Sequence, residues 1–248
     1  WADPAGYFGL FRNSALIGKD SHTWLRDTVV TSYDDHDQVR KGDEKSRFCA
    51  AADGPALAAV VLALNATTLG IPCVYYGSEQ ALDGKGGGFA ADRYIRETMF
   101  GREFGPFRSR DRHVFDEDHP LYRTLAALLA FRKHEPALRR GRQYVRQTSG
   151  NGTDFGYPTG FGGRLRGIVA WSRVLADREL LCAINTDPTE PRSAWVTVDA
   201  GLHRPGDELT CLQHSAPGPR DPLPVEPRNG CAVRLTLPPG GFAVHGPS

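Results

Sequence analysis

The strongest constraint on the fold is a pair of short apolar segments, each of which opens directly into a polar loop. Residues 28–32 and 71–76 are these segments, and a third apolar stretch, residues 54–69, lies between them. The middle stretch predicts a helix, because a proline follows its first residue and a glycine follows its last. A strand, a helix and a second strand predict a β/α unit, whose functional side chains lie at the carboxyl ends of its strands. The charged residues after the first strand are Asp34, Asp35, His36 and Asp37.

Two motifs at these positions resemble the last two strands of the α-amylase family barrel. Ser32-Tyr-Asp-Asp-His-Asp37 is similar to the Phe-Val-Asp-Asn-His-Asp pattern of the seventh strand, with Asp35 where the family usually carries asparagine. Gly70-Ile-Pro-Cys-Val-Tyr-Tyr-Gly-Ser-Glu-Gln80 is similar to the eighth-strand pattern at every fixed position. The resemblance implies that residues 1–140 are the C-terminal portion of a TIM (β/α)8 barrel, comprising strands seven and eight with their helices.

The second half of the chain predicts a different architecture. Short β-rich segments alternate there with turns rich in proline, glycine and aspartate, which is typical of an antiparallel β-sandwich. The predicted fold class is therefore α/β plus all-β, with the barrel part at 1–140 and a β-sandwich domain at 141–248. In the first half, apolar periodicity predicts two further helices, over 7–17 and over 121–134. The glycine-rich segment 83–88 predicts a mobile loop over the barrel mouth.

The resemblance also assigns candidate site residues. In this family of retaining α-glucosidases, a histidine and an aspartate hold the C2 and C3 hydroxyls of the sugar whose bond breaks, and His36 and Asp37 occupy those motif positions. Residues 96–101 partly match a segment that follows the eighth strand, which implies substrate binding by Arg96, with a surface ion pair as the alternative. Arg40 is a second substrate-binding candidate, with a loop salt bridge as its alternative. The family's nucleophilic aspartate and acid/base glutamate would precede Trp1.

Taken alone, the acidic cluster at 34–37 has two other interpretations. Such a cluster is also typical of a solvated turn and of an oxygen-rich site for a divalent metal. The second motif favours catalysis over both, and we predict no metal site in this chain. The cysteines show no zinc-type C-x-x-C spacing either. We expect no cofactor in this chain, while the resemblance allows calcium in the full-length enzyme.

The composition argues against two classes of partner. A formal net charge of +1 predicts no electrostatic attraction to nucleic acid or to a membrane surface. No apolar run approaches the roughly 20 residues that a membrane span needs. The odd number of cysteines, most of them in apolar surroundings, favours a reducing compartment such as the cytoplasm.

These observations predict part of a retaining glycoside hydrolase or transglycosidase that acts on α-glucosidic bonds of starch, maltooligosaccharides or related sugars. The chain starts at Trp1 and its sole methionine is Met99, so we expect a missing N-terminal part of the same enzyme to supply the other carboxylates. The chain alone is expected to be inactive. Two alternatives are a non-catalytic amylase-like interaction module and a separate subunit that completes a split barrel.

Overall fold

A computed structural model describes residues 21–38, 42–99, 115–158, 165–215 and 221–248. The helix predicted over 7–17 and the candidate Arg40 lie outside these described residues. The described helices are α1 (Ser21–Thr28), α2 (Gly54–Thr67), α3 (Pro120–His134) and α4 (Pro136–Arg140). Among them, none is both long and apolar enough to span a bilayer.

The strands divide into short ones in the first half and longer ones in the second. The first half contains β1 (Val30–Thr31), β2 (Glu44–Ser46), β3 (Ile71–Pro72) and β4 (Lys85–Gly87), with 3₁₀ turns at Phe48–Ala50, Ser78–Gln80 and Ala91–Ile95. The second half contains β5 (Arg142–Val145), β6 (Thr148–Ser149), β7 (Ile168–Leu175), β8 (Arg178–Asn185), β9 (Arg192–Thr197), β10 (Glu208–His214), β11 (Leu223–Pro224), β12 (Ala232–Leu237) and β13 (Phe242–Gly246).

The β1 and β3 strands form a parallel pair, with Val30 opposite Ile71, and α2 lies between them in the sequence. Gly70 permits their close approach: its φ is +118°, and a Cβ there would lie 2.6 Å from Thr31 Cγ2. Both strands are shorter than predicted, and Thr28 ends α1 instead of starting β1. The β/α unit is thus present, whereas the barrel around it stays a prediction.

Part of the segment 83–88, which its glycines predict to be a mobile loop, is a strand instead. Lys85–Gly87 forms β4, which pairs antiparallel with β2. A Cβ on Gly86 would lie 2.2 Å from the ring of Tyr94, and a Cβ on Gly84 would lie 1.8 Å from the Tyr94 carbonyl oxygen. These two glycines therefore permit close packing against Tyr94.

The second half contains two antiparallel sheets that face each other, as predicted. The larger sheet has the order β11-β10-β13-β8-β7-β5 and the smaller has the order β12-β9-β6. Alternate side chains along the strands point into the space between the sheets, as expected for strands of a sandwich. Buried members of this inner core include Ile168, Ala170, Leu181, Ala183, Val196, Val233 and Leu235.

The helices cover the other face of the larger sheet. Buried side chains from the helices and from this sheet form one cluster, which includes Val60, Ala63, Leu128, Leu138, Trp171, Leu180 and Phe242. Arg173 ties the two halves together by donating to the carbonyl oxygens of Thr67 (2.8 Å) and Gly141 (3.0 Å). The described part therefore has three layers, namely the helices, the larger sheet and the smaller sheet. A continuous core crosses residue 140/141, where the domain boundary is predicted.

All five cysteines are free thiols. Cys182 is buried in β8, and burial raises the pKa of its thiol to about 12. Because the thiolate is the reactive form, Cys182 is inert at neutral pH. Cys73 lies within the apolar segment 71–76, whose character predicts a buried strand, and is instead exposed, because β3 ends at Pro72.

Candidate functional site

Asp34 joins the two loops that follow β1 and β3. It is buried, at 4% exposure, and accepts hydrogen bonds from the Phe48 backbone N–H (2.8 Å) and the Ser78 hydroxyl (3.3 Å). Asp34 thus holds the loop after β1 against the loop after β3.

Asp35 shapes the turn that presents Asp37. One of its carboxylate oxygens accepts from the backbone N–H groups of Asp37 (2.7 Å) and Gln38 (2.5 Å), and Gln38 has a φ of +45°. Such self-capping turns are common to aspartate and asparagine, because either side chain offers the accepting oxygen. The departure from the family's asparagine therefore keeps the hydrogen-bond acceptor that this turn uses.

His36, Asp37 and Arg96 form the exposed part of the site. The His36 Nε2 atom lies 3.3 Å from Asp37 Oδ2, and Arg96 Nη2 lies 2.5 Å from Asp37 Oδ1. Arg96 Nε also donates to the His36 carbonyl oxygen at 2.9 Å. The side chains of the three residues are about half exposed or more. Arg96 therefore forms an ion pair with Asp37 at the surface, and substrate binding by Arg96 stays a prediction.

A second carboxylate, Asp92, lies behind Arg96 and was not singled out from the sequence. Its Oδ2 atom is 3.7 Å from Arg96 Nη2, and its Oδ1 atom is 3.6 Å from Lys45 Nζ. Lys45 in turn donates to the Gln38 carbonyl oxygen at 2.9 Å. The four-residue spacing of Asp92 and Arg96 is the sequence signal that could have identified this contact.

Aromatic rings line the side of the site formed by the loop after β3. The Tyr75 ring centroid lies 6.4 Å from that of His36, and Tyr75 and Tyr76 contact each other edge to face at 4.7 Å. Burial, followed by the neighbouring Tyr76, raises the pKa of Tyr75 above its ordinary value. Tyr75 is therefore a neutral hydroxyl at any physiological pH.

The arrangement suits recognition of neutral hydroxyl groups. Asp37 is a carboxylate whose position is fixed by a guanidinium, and charged acceptors make hydrogen bonds about twice as strong as neutral ones.

Calcium needs six to eight oxygen ligands. Within the described ranges, no three His, Cys, Asp or Glu side chains are grouped so that they could hold a metal ion.

Comparison with known proteins identifies relatives of this chain. A scan against protein-family models gives no match. The chain is 30% identical over 213 residues to an α-amylase of Streptomyces lividans, a match that covers 78% of this chain and 21% of the relative. It is 30% identical over 129 residues to a cyclomaltodextrin glucanotransferase of Paenibacillus macerans, with 52% of this chain and 15% of the relative covered. The chain thus spans about a fifth or less of the length of these relatives.

A solved structure supports the same relationship at the level of the fold. The debranching enzyme of Nostoc punctiforme aligns with a TM-score of 0.51 at 22% identity, and the alignment covers 88% of this chain and 33% of that structure. The sequence matches extend over most of the chain, and the fold is shared as well. Over the part that is matched, these comparisons support the resemblance of this chain to the α-amylase family.

Proposed function

We propose that this chain supplies the sugar-binding His36–Asp37 pair of a retaining glycoside hydrolase or transglycosidase that acts on α-glucosidic bonds. Starch, maltooligosaccharides or related sugars would be its substrates. The observation that carries the proposal is the fixed, exposed carboxylate of Asp37, held at 2.5 Å by Arg96 beside His36. The names of the relatives, an α-amylase and a cyclomaltodextrin glucanotransferase, support the substrate class.

The physical role of the pair follows from the chemistry of the reaction. A retaining glycosidase passes through an oxocarbenium-like transition state, and hydrogen bonds to the sugar 2-hydroxyl strengthen as positive charge develops on the ring. Asp37 would accept from such hydroxyls, with His36 at its side and Arg96 holding it in place. Interactions that strengthen in the transition state raise kcat and not only binding affinity.

The nucleophile and the acid/base would come from outside this chain. Retaining hydrolysis needs two carboxyl groups about 5 Å apart, and by the resemblance both end earlier strands of the same barrel. The parallel β1–β3 pair, joined through α2, supports its assignment as strands seven and eight of that barrel. We therefore propose that the missing N-terminal part of the enzyme is the partner of this chain, with no cofactor bound by the chain itself.

Kinetics of the protein at its natural full length test the proposal. With maltoheptaose as substrate, Asp37→Asn should lower kcat by about 10²–10³-fold, comparable to the loss of one preorganised electrostatic contact. The KM should change far less. Asp118→Asn is the matched control, because Asp118 is an exposed carboxylate that forms an ion pair with Arg123 at the surface.

Two outcomes would overturn parts of the proposal. A near-wild-type kcat for Asp37→Asn would remove Asp37 from the reaction, and a full-length protein that lacks the two upstream carboxylates would favour the interaction module. Turnover of maltoheptaose by the pure 248-residue chain would contradict the assignment of nucleophile and acid/base to another segment.

A further inference from the structure

A buried ion pair lies next to the candidate site, outside the group formed by His36, Asp37 and Arg96. Arg47 Nε donates to Glu97 Oε2 at 2.8 Å, and the two side chains are 0% and 7% exposed. Burial raises the pKa of Glu97, and the charge of Arg47 opposes that rise. Because the cost of removing two charges from water offsets much of the attraction between them, a pair of this kind is a weak source of stability. The presence of the pair beside the site therefore calls for an explanation other than stability.

Arg47 also contacts both aromatic residues of the loop after β3. Its guanidinium carbon lies 4.3 Å from the centroid of the Tyr75 ring and 5.2 Å from that of Tyr76. Its Nη1 atom donates to the Tyr76 carbonyl oxygen at 2.9 Å. The ring of Tyr75, in turn, lies beside His36. Arg47 therefore fixes the aromatic side of the site.

The backbone on both sides of Arg96 is anchored to the same group of residues. Glu97, the next residue in the chain, is bound by Arg47. Ile95, the preceding residue, accepts a hydrogen bond from the Tyr75 hydroxyl through its carbonyl oxygen at 3.1 Å. Arg96 thus extends to Asp37 from a segment that is held at both of its neighbours.

We propose that Arg47 and Glu97 are a positioning pair that sets Arg96 against Asp37 and Tyr75 against His36. This inference rests on the function proposed above. The pair touches neither substrate nor reacting atoms, and it acts through the two side chains that contact His36 and Asp37. A displacement of about 1 Å in a catalytic group can cost about 10²-fold in rate, so such a pair contributes to turnover without contacting the sugar.

The first test uses the chain itself and needs no activity. The Cε1–Hε1 signal of the His36 imidazole is recorded by ¹H–¹³C NMR in the wild type, Glu97→Gln and Arg47→Lys, with His36→Gln to assign it. The signal reports on the nearby Tyr75 ring and on Asp37. We expect it to move in both variants, because glutamine removes the charge and lysine removes the planar fork.

The control is a second ion pair of the same length outside the site. Arg178 Nη2 lies 2.8 Å from Glu135 Oε1, and Glu135→Gln should leave the His36 signal in place. Near-UV circular dichroism shows which variants fold. If Arg47→Lys does not fold, Glu97→Gln alone tests the proposal, because glutamine matches the shape of glutamate closely. A folded Glu97→Gln variant with an unmoved His36 signal would overturn the proposal.

The second test separates positioning from stability in the full-length protein. Glu97→Gln should lower kcat for maltoheptaose by about tenfold or more, with KM nearly unchanged and with Glu135→Gln behaving like the wild type. Equal kcat values for Glu97→Gln and Glu135→Gln would contradict the inference. If Asp37→Asn kept full activity, the proposed function would be contradicted. The NMR test of the Arg47–Glu97 pair would be unaffected, because it does not depend on activity.

Discussion

We predict that the buried residue His245 lowers the free energy of unfolding in mild acid. It lies in β13, at 6% exposure, opposite Cys211 of β10. Its Nδ1 atom has no hydrogen-bond partner among the described residues. It lines a cavity of about 470 Å³ at the edge of the sandwich, together with His214, Asp221 and Arg234. Burial, and secondly the charge of His214, lowers the pKa of His245 to about 4.

The sign and size of the effect follow from linkage. Above an ordinary histidine pKa of 6.5, His245 is neutral in the folded and unfolded chain and contributes nothing. As the pH falls from there towards 4, the unfolded chain takes up a proton that the folded chain does not, so the free energy of unfolding decreases. The decrease is about 2 kcal/mol at about pH 5 and approaches a limit of about 3 kcal/mol below pH 4.

Urea unfolding of the wild type and His245→Gln at about pH 7.5 and about pH 5 measures this term. The other titrating groups are common to both proteins. The wild type and the variant therefore differ in the pH dependence of their free energy of unfolding only through His245. We expect the wild type to lose about 2 kcal/mol more than the variant on acidification. Parallel losses would refute the reasoning, as would an NMR titration of His245 with a midpoint near 6.5.

Two further predictions concern the core. Leu138→Ala should lower the free energy of unfolding by about 2–5 kcal/mol in urea denaturation, because Leu138 is fully buried between α4 and the larger sheet. Arg146→Met should cost about 1.5–3 kcal/mol, because the fully buried Glu179 carboxylate loses the guanidinium that lies 2.8 Å from it but keeps the His203 Nε2 atom at 3.0 Å. Arg123→Met, at an exposed ion pair, is the control and should cost about 1 kcal/mol or less. Equal costs for the two arginine variants would contradict the second prediction.

The sequence predicts regular elements better than the contacts between them. Strands of the sandwich such as Ala232–Leu237 are recognisable because apolar side chains alternate along them. The helix Pro120–His134 is recognisable from its apolar periodicity and its leading proline, and the His119 side chain accepts from the Leu121 N–H at its start. These signals are local, since each depends on neighbouring residues alone.

The contacts that were missed join residues far apart in the chain. Arg47 and Glu97 are separated by fifty positions, and nothing in the local pattern around either residue indicates the other. The segment Lys85–Gly87 was misassigned for a related reason, since glycine signals mobility and close packing equally, and only the neighbouring Tyr94 distinguishes them. His36 and Asp37 could be proposed because a contiguous motif carries both, and the four-residue spacing of Asp92 and Arg96 could have indicated their contact, whereas the 3.6 Å contact of Asp92 with Lys45 could not be read from any local pattern.

The continuous core across residue 140 has a consequence for protein engineering. The face of the larger sheet that carries Trp171 is complementary to side chains of α2 and α4, which precede the sandwich in the chain. A chimera that exchanges the sandwich for that of a relative at position 141 would therefore bring together two surfaces that were not selected for each other. Transfer of this module should succeed only when the crossover point lies before α2, or when the facing residues of the helices are exchanged along with it.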